Sequence, residues 1–571
     1  MTVVSAEPAY RRLPRVVGIL GPSDPDLSGR VEAGPARDLT LHVRHRCATV
    51  WSSAPLLSWK TRDRAGVAWW AMRTVGRPAA WQEVAELWEA LGLEMTERGA
   101  TLHTASFGMQ PLYTLKAGRA LVFAQSIEDV CAVMSGALHA DWSAWAAIFA
   151  FGSPIGNRTP FEEITRLPPG GSWHYDLGRD RLTAARRLPG VVERTSSSAP
   201  SPADVADRVS MSIKQSLGGS RWFASMRRWI VRPEPTRALT LSGGWDSRLL
   251  AACATSTLGT RSVVGYTTSP DDGLDLDLDL SAPVAQTLGI RHEIVESSSV
   301  AWPEYTRATM RRVEHQTRHH MWLEPLARIV RSAHDDVIDG LAGDVLLKNF
   351  MVDDRAIRAG GFRELGDALW SNLASVPGDS LPWAGRAVTA EIDRRSREDF
   401  DADRRLVDGH PAAATLSVLL SRTARCISLS PFGLFAPEMV PCVPFLHPAV
   451  VDATLAVPLA DKAGGDFYRR VLDAADPALA ALPSTNDPRP TGRRKLKIRA
   501  TDRAALQWTE SVISRMVERG ALPASPDAAV ADLTRSTVGR NWMKGVLTLG
   551  DWLDRYDDRL ESVRAPWWGR S

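Results

Sequence analysis

The run Leu239-Thr-Leu-Ser-Gly-Gly-Trp-Asp-Ser-Arg-Leu-Leu250 constrains this chain more than any other stretch, because it carries a short apolar strand through two glycines into a helical pattern. Adjacent glycines let the backbone turn tightly and bring its N–H groups against phosphate oxygens, and the helix that follows adds the positive end of its dipole. Gly243 and Gly244 provide that close backbone, and Ser242 and Ser247 supply hydroxyls. Asp246 is an anion in a place suited to anions, which is costly unless it holds a cation such as Mg²⁺. Gly-Gly alone reads as an ordinary strand-to-helix turn; the whole Ser-Gly-Gly-Trp-Asp-Ser string reads as a pyrophosphate-binding loop.

At 571 residues the chain exceeds what one compact core holds, so two principal domains are expected. The polar run Glu193-Arg-Thr-Ser-Ser-Ser-Ala-Pro-Ser-Pro202 cannot bury a core and sets the boundary, giving domains of 1–200 and 201–571. Upstream, the apolar run Ala120–Ala124 and the turn Leu167-Pro-Pro-Gly-Gly171 predict a sheet-rich domain with a few helices. Downstream, strands are expected at Ala238–Leu241, Ser262–Thr267, His292–Val295 and Asp336–Ile338, alternating with helices as in a doubly wound parallel α/β sheet. From about residue 380 the pattern is mainly helical.

A net charge of +3 creates no global field toward nucleic acid or membrane, so neither is expected as a partner. Cys47, Cys131, Cys253, Cys426 and Cys442 are scattered and odd in number, which disfavours a disulfide framework or structural zinc and fits a reducing cytoplasm. There is no signal-peptide pattern at the N-terminus and no apolar run near 18 residues. Most of the 21 tryptophans are expected in the core, with a minority left to line a cleft.

In parallel sheets of this kind ligands sit beyond the carboxyl ends of the strands. Besides the Ser242–Ser247 loop, two features fall there. In Val264-Gly265-Tyr266 a strand glycine would let a flat base approach. In Asp339-Gly-Leu-Ala-Gly-Asp344, Asp344 is either a second carboxylate for Mg²⁺ or a helix N-cap.

Together these motifs resemble the asparagine synthetase superfamily, whose ATP-pyrophosphatase domain makes acyl-adenylates. Asp277, ahead of Ala282-Pro-Val-Ala-Gln-Thr-Leu-Gly289, matches an acidic position of that family, although the acidic run around it also reads as a solvated helix entry. Val443-Pro-Phe-Leu446 resembles the family's Val-Pro-Phe-Leu-Asp string, with His447 in place of the aspartate. Phe107–Tyr113, Leu121–Ser126 and Phe161–Gly170 resemble the N-terminal glutaminase domain, an Ntn-type α/β sandwich. Glutaminase chemistry needs a cysteine at the mature N-terminus, whereas this chain starts Met1-Thr2 and reaches its first cysteine at Cys47. The resemblance therefore implies an N-terminal domain without its nucleophile.

Leu341 stands where asparagine synthetases carry Glu and β-lactam synthetases a Tyr used in base catalysis. A free α-amine, with a pKa of about 8, needs little help from a base. Leu341-Ala-Gly-Asp-Val-Leu-Leu347 and Leu482-Pro-Ser-Thr-Asn-Asp487 look most like the lasso peptide cyclases. That resemblance implies that ATP adenylates an Asp or Glu side chain of a precursor peptide and that the peptide's N-terminal amine closes a macrolactam. A leader peptidase and a leader-binding protein are candidate partners.

On this reading Asp246 and Asp344 hold Mg²⁺ while Leu241, Val264 and Gly340 contact adenosine, with Gly265 at the base. Ser484 or Thr485 lies where the synthetases place a catalytic lysine, so the closing cation is sought in Arg489–Arg499, at Arg493, Arg494, Lys495 or Lys497. A run of that kind also reads as a solvated face. His319, His320 and Trp322 are candidates to face the peptide, or are simply packed helix residues. Competing readings are another amide-forming enzyme of the superfamily and a non-catalytic relative that only binds ATP or peptide.

Overall fold

A computed structural model describes residues 13–22, 25–70, 81–82, 89–193, 198–217, 236–269, 276–376, 383–487, 502–522, 525–535 and 537–568. The first unit is built on twelve strands. They begin with β1 (Val16–Leu20), β2 (Thr40–His45), β3 (Ala48–Ser52), β4 (Leu57–Lys60), β5 (Arg64–Trp69) and β6 (Leu91–Thr96). They continue with β7 (Gly99–His103), β8 (Tyr113–Ala117), β9 (Ala120–Ala124), β10 (Ile164–Arg166), β11 (Gly171–Asp176) and β12 (Arg181–Arg186). Two six-stranded sheets result, β10-β8-β9-β1-β3-β2 and β12-β11-β7-β6-β5-β4, and every pairing in them is antiparallel.

Short apolar strands explain why these sheets lie against one another. Every residue of β1, β3 and β9 is buried, so the middle of the first sheet is covered on both faces. Trp69 of β5 stacks on Phe123 of β9 at 6.0 Å, joining the two sheets face to face. The outer strand β12 is exposed along most of its length.

The second unit holds five strands: β13 (Arg237–Thr240), β14 (Val263–Thr268), β15 (Arg291–Val295), β16 (Asp336–Ile338) and β17 (Val440–Cys442). They form one parallel sheet in the order β15-β14-β13-β16-β17. The four strands read from sequence lie within a residue of where they were expected. β17 is an addition to that reading: three residues with Pro441 in the middle carry little strand signal, and the structure puts them at the sheet edge, where a proline is tolerated.

The chain runs from β13 outward through β14 to β15, then returns to β16 on the other side of β13. The gap between β13 and β16 is therefore the switch point, beyond whose carboxyl ends ligands bind in open parallel sheets.

Beyond β16 the described chain is helical apart from β17. The helix Pro202–Leu217 packs on Trp245–Leu258 and so belongs to the second unit. One hydrophobic core nonetheless runs through both units. The fully buried helix stretch Ala144–Ala150 of the first unit meets the second through Trp145 on Trp552 at 5.1 Å and Phe149 on Trp542 at 5.5 Å. The tryptophans do mostly pack: Trp69, Trp145, Trp542 and Trp552 are completely enclosed.

Candidate functional site

β13 delivers Leu241–Gly244 to the switch point, and the helix Trp245–Leu258 starts directly behind, with Gly244 as its N-cap. Gly244 has no side chain to satisfy the helix's free N–H groups, so the loop does it. Ser247 Oγ accepts from the Ser242 N–H at 3.0 Å, and Ser242 Oγ accepts from the Gly244 N–H at 3.2 Å. The Gly243 N–H donates to Asp277 Oδ1 at 2.8 Å, and the Trp245 N–H to Asn486 Oδ1 at 3.1 Å. Three successive amides, of Gly243, Gly244 and Trp245, thus face oxygen acceptors, two of them on side chains distant in sequence. This is the donor array a phosphate group requires.

β16 delivers the second loop. Asp339 Oδ1 accepts from the Leu341 N–H at 2.9 Å, which tightens the turn before the short helix Gly343–Lys348. Burial pushes the Asp339 carboxyl up to about 6. Ala342 takes a left-handed backbone with φ of 74°, a strained conformation for a residue with a Cβ. Ala342, not Asp344, occupies the N-cap position, which removes the capping reading of Asp344.

The two loops bring Asp246 and Asp344 together. The Asp344 N–H donates to the Asp246 carboxylate, and burial with the neighbouring Asp344 charge pushes Asp246 up to about 8. Asp344 is also raised, first by burial. Two half-buried carboxylates that disfavour each other's charge need a cation. Among the described residues no set of three or more His, Cys, Asp or Glu groups surrounds them, so the protein offers two ligands. That donor set fits Mg²⁺, which takes few carboxylates and completes its octahedron from phosphate oxygens and water. Gly343 makes the approach possible: a Cβ there would lie 2.7 Å from Asp246 Oδ1 and 2.6 Å from the Phe445 ring. Gly340 lies against the other side of Asp246.

Several residues at the site carried no sequence signal of their own. Tyr468 donates its hydroxyl to Asp246 Oδ1 at 2.6 Å and meets the Trp245 ring edge-on at 5.6 Å. Arg248, fully buried, donates to the carbonyls of Leu479 (3.0 Å), Leu482 (2.7 Å) and Pro483 (2.7 Å). It thereby pins the segment carrying Ser484–Asp487 onto the loop, where the Thr485 N–H donates to Gly243 O at 3.0 Å. Lys348 and Arg422 stand near the carboxylate pair, and both favour its charged form.

Other expectations are displaced. Leu241 and Val264 are core residues, and the space over Gly265 is filled by the Leu241 side chain, whose Cδ2 would be 3.0 Å from a Cβ there. His320 is buried with Nε2 3.3 Å from Cys426 O, and the His319 ring packs over Gly152 of the first unit. Burial lowers both, His320 to about 4, so they are neutral imidazoles at the junction of the two units. Trp322 lies half-buried 6.0 Å from the His320 ring. Leu341 is buried, as its apolar character predicts. His447, where the resembled family has aspartate, caps the helix Pro448–Ala456 by accepting from the Ala449 N–H through Nδ1 at 3.1 Å. Arg493, Arg494, Lys495, Lys497 and Thr2 lie outside the described residues.

All five cysteines are buried and free. Burial pushes Cys131 up to about 12 and Cys253 to about 11, which keeps these thiols protonated and poorly nucleophilic. A cavity of about 400 Å³ opens between the two units, lined by Arg15, Trp70, Tyr113, Glu314 and Phe432 among others. None of the residues at the carboxylate pair lines it. Among the described residues no helix is long and apolar enough to cross a membrane.

The chain matches no known family profile. An uncharacterized protein of Synechocystis sp., slr1717, is 37% identical over 115 residues, which is 20% of this chain. The chain spans 42% of that relative's length. Among solved structures, glutamine phosphoribosylpyrophosphate amidotransferase from B. subtilis, complexed with ADP and GMP, is 10% identical with a TM-score of 0.20. That match covers 49% of this chain and 90% of the other. A structure described as the allosteric regulatory enzyme of purine biosynthesis has the same identity and score and is covered over 80% of its length. Scores this low carry no weight for fold or function.

Proposed function

We propose that this chain is an ATP-dependent, AMP-forming amide ligase that activates an Asp or Glu side-chain carboxylate of a precursor peptide and closes a macrolactam with the peptide's N-terminal amine. The observation that carries the reading is the meeting of Asp246 and Asp344 beneath three successive loop amides at the switch point of a parallel sheet. The peptide carboxylate attacks the α-phosphorus of ATP and pyrophosphate leaves; the neutral amine attacks the acyl carbon, AMP leaves, and the proton that the nitrogen gives up on becoming an amide passes to solvent. Mg²⁺, when bound, neutralises phosphate charge as pyrophosphate departs.

The chain's own residues do the positioning. The amides of Gly243, Gly244 and Trp245 bind the leaving pyrophosphate once Asp277 and Asn486 give way, and Asp246 with Asp344 holds the metal. Leu341 is buried and apolar, which suits an amine nucleophile that needs no strong base. The absence of a reactive thiol among the described residues favours an amine already present in the substrate over ammonia released from glutamine.

The test is incubation with ATP, Mg²⁺ and leader-free candidate peptides, reading AMP and a loss of one water, about 18 Da, from the peptide, as amide condensation requires. Asp246→Ala and Asp344→Ala are each expected to abolish both signals. AMP release only with free glutamine or ammonia would sink the cyclase reading, and ATP binding without AMP under any substrate would leave a binding protein.

A further inference from the structure

A row of alternating rings and cations borders the carboxylate pair. It begins at Trp245, the residue before Asp246, with Lys348 Nζ 5.7 Å from the ring centroid. Lys348 Nζ is also 5.8 Å from the Phe350 ring, and the Arg422 guanidinium stands over the same ring at 5.5 Å. Arg422 belongs to the π-helical stretch Leu419–Ile427, a form that is rare and concentrated at functional sites. Beyond it lie His319 and His320, which also feel its charge.

Several half-buried arginines of this chain have carboxylate partners, as Arg237 has Asp336 at 3.0 Å and Arg312 has Glu438. Arg422 and Lys348 differ: neither makes a salt bridge or hydrogen bond with any described residue, and besides the ring contacts they act on the Asp246 and Asp344 carboxylates only through space. A half-buried guanidinium whose N–H groups reach no acceptor is costly unless the function supplies one. The two cations are also different in kind. Lys348, against Trp245 at the mouth of the phosphate loop, is a point charge suited to phosphate. Arg422, on the same Phe350 ring and also acting on the Asp344 charge, is a planar fork that matches a carboxylate at two points. The buried imidazoles next to it are neutral and cannot take over that task.

We propose that Arg422 receives the substrate carboxylate that is to be activated and so makes the site selective for an acidic side chain. This rests on the amide-ligase reading above, because only an enzyme of that kind needs a free carboxylate beside the metal pair.

The experiment measures binding separately from turnover. Dye-labelled synthetic peptides with a free N-terminus and a single Asp or Glu at successive positions are titrated by fluorescence anisotropy, each beside its Asn or Gln counterpart. The wild-type chain is expected to bind at least one acidic peptide ten-fold or more tighter than its amide. Arg422→Gln should erase that ratio and Arg422→Lys should retain part of it. Thermal melts establish that each variant is folded. An acid-to-amide ratio near one in the wild type, or one preserved in Arg422→Gln, overturns the assignment; so does a variant that loses Mg-ATP and peptide binding equally. Acid selectivity lost in Arg422→Gln, in a wild type that releases no AMP with any peptide, would keep Arg422 as a carboxylate receptor while removing the ligase reading.

Discussion

Gly343→Ala tests the central geometry without touching a charged group. The added Cβ would sit 2.6 Å from Phe445 Cε2, 2.7 Å from Asp246 Oδ1 and 2.9 Å from Asp246 Cγ. Relaxed carbon contacts lie at about 3.5–4.0 Å, so one neighbour or both must retreat by close to 1 Å. Phe445 is fully enclosed in the core and has nowhere to go, whereas Asp246 is only half-buried. The carboxylate is therefore the group that moves. Overpacking of this size costs about 1–3 kcal/mol of stability. A displacement near 1 Å in a positioning group costs on the order of 100-fold in rate. Urea denaturation gives the first number and pyrophosphate exchange against Mg²⁺ concentration the second. Gly29→Ala is the control, since a Cβ there meets nothing within 4 Å, and in its exposed helix it should stabilise by about 0.5–1 kcal/mol. A Gly343→Ala protein with wild-type exchange and an unchanged Mg²⁺ requirement would refute the claim that Asp246 must sit where the structure has it.

Lys462 is completely buried with Nζ 3.0 Å from Thr454 O, and burial lowers it from 10.5 to about 7. Between pH 7 and 10.5 the unfolded chain binds a proton that the native one has released, so stability rises with pH there, by at most about 5 kcal/mol at about 1.4 kcal/mol per pH unit. Lys462→Met should flatten that slope and raise the urea midpoint at pH 6, because the Thr454 carbonyl keeps the Val457 N–H; a lower midpoint would contradict this. Glu314 works in the opposite sense, since burial raises it from 4.5 to about 8 and the native state then holds the extra proton. Stability from this group is present below pH 4.5 and is lost as pH rises to 8, by about 2–4 kcal/mol after allowing for its exposure to the cavity. Glu314→Gln keeps an acceptor for Ser126 Oγ and should remove the loss, so equal pH-dependence of the variant and wild-type midpoints from 5 to 8 would count against it. Arg248→Met strips the donors from three backbone carbonyls and should cost roughly 3 kcal/mol. Its specific mark would be faster hydrogen exchange across 479–487 and weaker ATP binding, and a uniform change across the chain would argue against the tether.

What the sequence revealed was what neighbours in the chain decide. The strand, glycines and helix of 239–250 and the turn of Asp339–Asp344 are local patterns, and the topology that joins them follows from strands alternating with helices. The misreadings came from tertiary approach. Gly265 in a strand signals that something comes close, but not that the occupant is Leu241 from the neighbouring strand's end. Asn486 and Tyr468 reach the loop from more than 200 residues downstream; Asn486 sits in the Leu482–Asp487 motif, whose contact with the loop the sequence does not announce, and Tyr468 sits in no motif at all. Arg422 left one faint trace, since it follows an apolar run, Leu416–Leu420, that an amphipathic reading treats as plain core.

The position of Arg422 also explains why the two units share one core. π-Helical turns are intrinsically poor, and this one is held by buried guanidinium groups that cross the boundary. Arg166 of the first unit donates to Ala424 O at 2.9 Å, and Arg425 donates back to Arg158 O. The segment before the helix Glu324–Ala333 is fastened to the first unit in the same way, with Thr317 Oγ1 on Gly152 O and Arg318 Nε on Ile148 O, each at 2.9 Å. Each guanidinium is fully desolvated, so its bonds to carbonyls are worth more than exposed ones and costly to break. The first unit therefore acts on the site without contributing a residue to it: it fixes the wide helical turn from which Arg422 faces Phe350 and the carboxylate pair.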